Sequence, residues 1–503
     1  VSEVPANISL PKIAVCLAVA ALVMLVPASA EFTPNVRTTC AIGLLMALLW
    51  LTEAAPIGYT ALIPLVAFPL TGVSTMEKIA APYANSAVFL FLGGFLLSST
   101  FERWDLHRRI AYFALNRVGT EPRRIILAVM LTTAFLSMWM SNTATTLMMT
   151  PIAVAIVAGL SGVGKAVTSS GRPDSLSRTA ESLLLGVAYA ASLGGIGTPI
   201  GTPTNLIFFG AARELAPNAA TVSFAQWMIF GAVYIVLLVP ICWLLLVSIN
   251  RIGSGGRISL HELGLTKPGI MSRPEMSALI ICLITACLWI FRADISLGSF
   301  TMPGWARLFP NAKAINDATI AIGMALIAFL LPVGQGQRLL EWEEIKRVPW
   351  DVLLLFGGGF ALADALEQSG FSKWAGAKLS FVGNWPPVLM ILGLCIVVTL
   401  LSEVASNVAT AAAMMPICAA LAVSIGVHPY ALMLPAVLAA SSGFMLPVAT
   451  APNTIVYATG YVRVRGMTRN GFLLDLAAAL VITFLTFTVI PWATGIDLFH
   501  RLP

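Results

Sequence analysis

Residues 125–164 are forty consecutive positions without a charged side chain, yet Ser141-Asn142-Thr143 stands in their middle. As one α-helix this stretch would be ~60 Å long, about twice the hydrocarbon core of a bilayer. A break inside lipid frees backbone N–H and C=O groups that water cannot satisfy, and Ser and Asn side chains can cap them. The stretch therefore reads as a re-entrant helical hairpin with its turn at Ser-Asn-Thr.

That reading requires a membrane, and composition supplies one. With 58% apolar and 10% charged residues and a mean hydropathy of +0.89, the chain falls outside the range of ordinary soluble domains. Uncharged runs recur from residues 13–30 through 476–496, most near or above the ~20 residues that a spanning helix needs. The seven cysteines lie in or beside these runs without a C-x-x-C pair, which argues against a disulfide framework or a zinc site. Lys12, the apolar run from Ile13 and Ala28-Ser29-Ala30 before Glu31 have the pattern of a cleavable signal peptide. They fit a first membrane helix as well, and that is the reading adopted.

The hairpin signature occurs twice. Ser141-Asn142-Thr143-Ala144-Thr145, with Met149 and Pro151-Ile152, returns as Ser406-Asn407-Val408-Ala409-Thr410, with Met414 and Pro416-Ile417; seven of twelve aligned positions are identical. The offset of 265 extends to Phe91-x-Gly93-Gly94-Phe95 and Phe356-x-Gly358-Gly359-Phe360. Downstream, Pro199-x-x-Thr202-x-x-Asn205 answers Pro447-x-x-Thr450-x-x-Asn453 at an offset of 248. The chain is a duplicated unit.

Charge placement orients the two copies. With the N-terminus inside and both ends of 125–164 on the cytoplasmic side, Lys and Arg divide into 20 inside and 9 outside, the bias expected of cytoplasmic loops. The net charge of +6 then needs no nucleic-acid partner. The Gly93-Gly94 and Gly358-Gly359 helices run in opposite directions, so the repeats are inverted. Inverted repeats with Gly/Pro-interrupted segments at matched positions point to a secondary transporter whose site lies near the midplane.

In chain order, residues 1–37 hold a first membrane helix and 38–250 the first repeat. That repeat contains scaffold helices, the helix 79–101, an amphipathic surface helix over 101–118, the hairpin 125–164, a broken helix over 182–212 and one helix over 216–250. A basic linker covers 251–275. The second repeat fills 276–503, with a hairpin at about 386–425 and a broken helix at about 431–462. The expected fold is an all-α polytopic membrane protein with about 11 transmembrane helices.

The Gly-rich stretch 194–205 misses the dinucleotide fingerprint, since Gly195-x-Gly197-x-x-x-Gly201 has the wrong spacing and no preceding strand. Gly159–Lys165 fails as a P-loop because Ala166 stands where a Ser or Thr belongs. No H-E-x-x-H or paired aspartate suggests an enzyme. Unwound helices instead expose carbonyls that, with Ser, Thr and Asn oxygens, suit Na⁺, while helix N-termini suit an anion. The site segments hold no Lys or Arg, so bound cations would have to compensate an anionic substrate, which couples the two. Proton coupling would need an intramembrane ionisable group; the candidates are Glu53, Asp364, Glu403 and His428, with Glu403 expected to pair within its hairpin.

The paired Ser-Asn-Thr and Ser-Asn-Val stretches, Gly201-Thr202-Pro203-Thr204-Asn205 and Leu446-Pro-Val-Ala-Thr-Ala-Pro-Asn453 resemble the divalent anion/sodium symporter family over nearly the whole chain. The resemblance implies an elevator-type inner-membrane homodimer with a cytoplasmic N-terminus, carrying a di- or tricarboxylate such as succinate, malate, fumarate or citrate with two or more sodium ions and no organic cofactor. A sodium-independent exchanger or a sodium/sulfate symporter is the alternative, and an anion channel a more distant one. By the same resemblance one sodium site maps to Ser137, Ser141, Asn142 and Gly201, and its twin to Ser402, Ala405, Asn407 and Ala449. Substrate contacts map to Ser141, Asn142, Thr143, Thr202, Pro203, Ser406, Asn407, Val408 and Thr450. Two positions depart from the family pattern: Val408 lacks the hydroxyl of a threonine, and Ala451 stands where a proline is common.

Overall fold

A computed structural model describes residues 8–29, 32–119, 121–167, 173–253, 267–297, 300–334, 336–371, 374–375, 378 and 383–499. Parts of the expected N-terminal segment, of the linker (254–266), of residues 372–382 in the second repeat and the side chains of Ser161–Lys165 lie outside the described residues. Among the described residues nine helices are long and apolar enough to cross a membrane, and four shorter apolar helices accompany them.

The first half opens with α1 (Leu10–Met24), α2 (Pro34–Thr52), α3 (Ile57–Ala61), α4 (Ile63–Leu70) and α5 (Met76–Ala80). It continues with α6 (Ser86–Arg103), α7 (Leu106–Val118), α8 (Pro122–Ser137), α9 (Asn142–Val167), α10 (Pro173–Gly195), α11 (Pro203–Leu215) and α12 (Phe224–Ile249). The second half holds α13 (Arg273–Ile290), α14 (Asp317–Leu330), α15 (Trp350–Ser369), α16 (Pro387–Val404), α17 (Asn407–Ser424), α18 (Tyr430–Ala440), α19 (Ala451–Ala458), α20 (Val464–Phe487) and α21 (Val489–Thr494). Thus α8/α9 and α16/α17 are helix–turn–helix hairpins broken at Ser-Asn. The pairs α10/α11 and α18/α19 are helices broken at the Gly- and Pro-containing stretches.

Several expected boundaries move, each for a local reason. The helix expected over 79–101 starts only at Ser86, because Pro82 lies in a 3₁₀ turn and Asn85 caps the new start by accepting from the Ala87 N–H at 2.9 Å. The third segment is split at Leu62, where Pro64 withholds a helical N–H. The helix over 216–250 begins at Phe224, fixed by a reciprocal Ser223/Gln226 capping box. Two short antiparallel ribbons, Ile295–Leu297 with Phe300–Met302 and Pro332–Gly334 with Gln337–Arg338, were not expected. The amphipathic segment is the helix α7, burying Leu106, His107, Ala111 and Leu115 while Arg109 pairs with Glu275 at 3.0 Å.

The halves interlock. Helix α6 packs on α14 of the second half, and its repeat mate α15 packs on α3 of the first. Phe91 and Phe356, equivalent by the offset of 265, meet edge to face with ring centroids 5.4 Å apart. A Cβ on Gly93 would lie 2.6 Å from the Ala321 backbone, and one on Gly358 would lie 2.7 Å from Ala61 Cα. The neighbouring glycines face the other way with more room, Gly94 towards Ile200 at 3.4 Å and Gly359 towards Ala412 at 3.6 Å.

Gly93→Ala and Gly358→Ala should therefore lower the thermal midpoint of the detergent-purified protein, with a cost of about 1–3 kcal/mol for overpacking. Gly359→Ala should leave it within error. Equal behaviour of all three variants in a size-exclusion melting assay would contradict this packing.

Candidate substrate and cation site

Each hairpin tip meets the break of its own repeat in the same way. In the first, Ser137 Oγ lies 2.7 Å from Asn142 Oδ1 and 2.7 Å from the Ala191 carbonyl. In the second, Ser402 Oγ lies 2.7 Å from Asn407 Oδ1 and 2.6 Å from the Ala440 carbonyl. The tip serines cap the helices that follow, Ser141 Oγ accepting from the Ala144 N–H at 3.2 Å and Ser406 Oγ from the Ala409 N–H at 3.3 Å. The break asparagines gather carbonyls in matching fashion. Asn205 Nδ2 donates to Gly195 (3.0 Å) and Thr198 (2.8 Å), and Asn453 Nδ2 donates to Gly443 (3.2 Å) and Leu446 (2.9 Å).

The two units then join crosswise. Helix α11 packs on α17 of the other repeat's hairpin, and α19 packs on α9. Thr204 Oγ1 and Ser441 Oγ meet at 2.6 Å between the breaks. Four helices thus begin around this junction, at Asn142, Pro203, Asn407 and Ala451. Their uncapped N–H groups and positive dipole ends form an environment for an anion that needs no basic side chain.

The oxygens around each serine are short of protons. One hydroxyl proton cannot serve two acceptors, so wherever the tip amide turns its oxygen to the serine, one contact brings oxygen against oxygen. The second cage shows this further: one amide atom of Asn407 lies 3.2 Å from the Ala440 carbonyl, 3.2 Å from the Ala449 carbonyl and 2.7 Å from Ser402 Oγ. With nitrogen there, its two amide hydrogens can serve at most two of these oxygens; with oxygen there, four oxygens converge in an arrangement that suits a hard monovalent cation. Matched buried oxygens without a hydrogen-bond partner, Asn205 Oδ1 with Asn453 Oδ1 and Thr145 Oγ1 with Thr410 Oγ1, lie in the same elements.

Ser137, Ser141, Asn142 and Gly201 come together: a Cβ on Gly201 would lie 2.8 Å from the Ser137 carbonyl. Ser402, Asn407 and Ala449 also meet, with Ala405 buried in extended backbone between α16 and α17. Thr202 and Thr450 precede α11 and α19 as buried extended residues, and Thr450 Oγ1 accepts from the Asn453 N–H at 3.2 Å. Pro203 and Val408 lie half-buried in the first turns of α11 and α17, and Thr143 is exposed. The Ala191 and Ala440 carbonyls escaped sequence reasoning because an alanine gives no side-chain signal for a backbone ligand. Gly195 and Gly443, each with the tip asparagine against it, could have been found from their shared offset of 248.

Glu403 corrects the sequence expectation. It does not pair within its hairpin: its two oxygens accept the backbone N–H groups of Met445 (2.8 Å) and Leu446 (2.9 Å) in the second break. Asp475 of α20, which no sequence pattern marked, accepts from the Phe444 N–H at 3.2 Å. Two carboxyl groups thus hold three successive amides. The first repeat places Met138 at the position of Glu403, and there the Thr198 hydroxyl donates to the Met138 carbonyl instead.

A sequence profile described as the sodium:sulfate symporter transmembrane region matches residues 8–494. The chain belongs to this family. Other family resemblances run along nearly the full length: proteins named sodium-dependent dicarboxylate transporter SdcS from Staphylococcus saprophyticus and Staphylococcus aureus are each 37% identical over 471 residues, covering 92% of this chain and 88% of theirs. Two solved structures share the fold. MtrF of Neisseria gonorrhoeae, described as illuminating a class of antimetabolite efflux pumps, has a TM-score of 0.58 at 12% identity, covering 98% of this chain and 96% of its own. The YdaH transporter of Alcanivorax borkumensis has a TM-score of 0.56 at 15% identity, covering 93% and 98%.

Glu403→Ala strips the partners from two half-buried N–H groups, at a cost of up to roughly 1–3 kcal/mol for each. Its thermal midpoint should fall well below that of Glu403→Gln, which keeps one acceptor oxygen. Equal midpoints for the two variants would show that the carboxylate is not what holds the break.

Proposed function

We propose that this protein is a sodium-coupled symporter of a small dicarboxylate, with sodium held in the two hairpin-and-break cages and the substrate at the four helix N-termini between them. The observation that carries the reading is the matched pair of oxygen-rich cages, alike in donor type and distance, flanking a junction whose segments contain no Lys or Arg. Sodium in either cage would satisfy the surplus oxygens of Ser137 and Asn142, or of Ser402, Asn407 and Ala449, and would add positive charge beside the anion. The side chains at the tips then have distinct tasks. Asn142 and Asn407 turn one amide atom to the cation and leave the rest of the amide for a carboxylate, while Ser141, Ser406, Thr202 and Thr450 supply hydroxyls to the substrate.

In this reading the hairpins are re-entrant, the repeats lie inverted in a bacterial inner membrane, and the N-terminus is cytoplasmic. The hairpins, α10–α12 and α18–α20 form a transport domain that moves in an elevator-like way against a scaffold containing α6 and α15, within a homodimer. The names of the staphylococcal relatives support sodium and dicarboxylate. The family description favours one second reading, sulfate, which carries two charges on a smaller frame.

Labelled succinate in proteoliposomes tests the reading with an inward sodium gradient, with equal sodium on both sides, and with no sodium but unlabelled succinate inside. Accumulation is expected only with the gradient. Uptake only against internal succinate would make the protein an exchanger, and accumulation of sulfate in place of succinate would favour the second reading. Asn142→Ala and Asn407→Ala should each abolish uptake while eluting as folded protein, and normal uptake by both would refute the assigned cages.

A further inference from the structure

Helices α12 and α20 pack side by side and antiparallel, as their ends show: Gln226 at the start of α12 donates at 3.4 Å to the carbonyl of Thr494, the last residue of α21, which follows α20. Each exposes one apolar stripe. On α12 it runs through Ala232, Val236, Pro240 and Leu244 to Ser248, and on α20 back through Phe484, Leu480, Leu476 and Phe472. A uniform spacing of four residues sets successive members side by side on the helix surface, in a stripe that winds gradually round it. Both stripes end in arginine on the side that carries the interdomain linker: Arg251 follows Ser248, and Arg469 and Arg465 follow Phe472.

These arginines are not spread as topology alone would place them. Arg251, Arg465 and Arg469, with Arg463, line one concavity of about 510 Å³. Among the described residues none of the four side chains has an ion pair or a hydrogen bond. The nearest acid, Glu181, is already engaged: it accepts the Arg463 backbone N–H at 3.1 Å and sits against Gly466. Three of the arginines also crowd the first turns of α20, where the helix dipole is positive and a cation is disfavoured. Glu181 lines the same concavity, so one carboxylate faces this arginine cluster and leaves an excess of positive charge at a helix N-terminus, which favours an anion. The apolar stripes leading away from it need acyl chains.

We propose that this groove is a binding site for an anionic phospholipid of the linker-side leaflet, its phosphate held by Arg251, Arg465 and Arg469 and its chains lying along α12 and α20. A zwitterionic lipid brings its own cation into the arginine cluster and binds less well. A soluble phosphate shares the headgroup chemistry but gains nothing from the stripes. A second copy of the chain would cover the stripes but would bring the same arginines against their equivalents.

Native mass spectrometry of the delipidated full chain, offered equal parts phosphatidylglycerol and phosphatidylcholine, tests the site. Phosphatidylglycerol should be retained preferentially, and the triple variant Arg251→Gln, Arg465→Gln, Arg469→Gln should lose that preference by roughly tenfold or more, given the weight of each basic residue near an anionic headgroup. The matching triple lysine variant, which keeps the charge, should retain most of it and controls for folding. Undiminished preference in the glutamine variant would overturn the proposal. So would inorganic phosphate raising the thermal midpoint as far as phosphatidylglycerol does, or a dimer that forms through α12 and α20 and excludes lipid.

Discussion

A helix interrupted inside a hydrocarbon environment leaves amides and carbonyls that water cannot reach. Among the described residues the two hairpin tips and the two breaks are such interruptions, and the neutral polar residues beside them carry the repair. Asn205 and Asn453 each bind two carbonyls of their own break, Ser141 and Ser406 cap the helices that restart, and Ser137 and Ser402 tie the tips to the breaks. The groups left over after this repair are surplus oxygens on one side and helix N-termini on the other. The proposed cation-and-anion site is built from what remains when the backbone has been satisfied as far as the chain can manage.

Duplication preserved the parts that touch this junction and let the fastenings diverge. The serine-to-asparagine distances are the same in both copies, 2.7 Å. Behind them, one break is held by a threonine hydroxyl on Met138, the other by the carboxyl groups of Glu403 and Asp475. Val408 at the position equivalent to Thr143 takes one hydroxyl from the second tip, so the two ends of the junction present different surfaces.

Much of this was legible in the sequence because lipid allows few solutions. Forty uncharged residues around Ser141-Asn142 leave little besides a hairpin, and a constant offset carries that conclusion to Ser406. Elsewhere the sequence was silent for identifiable reasons. The start of α6 is decided by Pro82 and the Asn85 cap, not by where charge ends. The contacts at Ala191 and Ala440 are made by carbonyls, and any residue has one. Asp475 reaches Phe444 across 31 positions, a separation at which pattern gives way to packing.

The two glycine pairs have a mechanical meaning beyond close fit. Gly93 and Gly358 are pressed on backbone of the opposite half, whereas Gly94 and Gly359 face Ile200 and Ala412, in the elements that build the site, at ordinary van der Waals spacing. A helix normally presents side chains as teeth with a pitch of about 5.4 Å, and a neighbour sliding along it must climb each one. Where α6 and α15 face the site, a tooth is missing. Under the proposed elevator-like motion, the same pair of residues would join a weld on one side to a bearing on the other, and a single methyl group added to the bearing face would turn it into a ratchet.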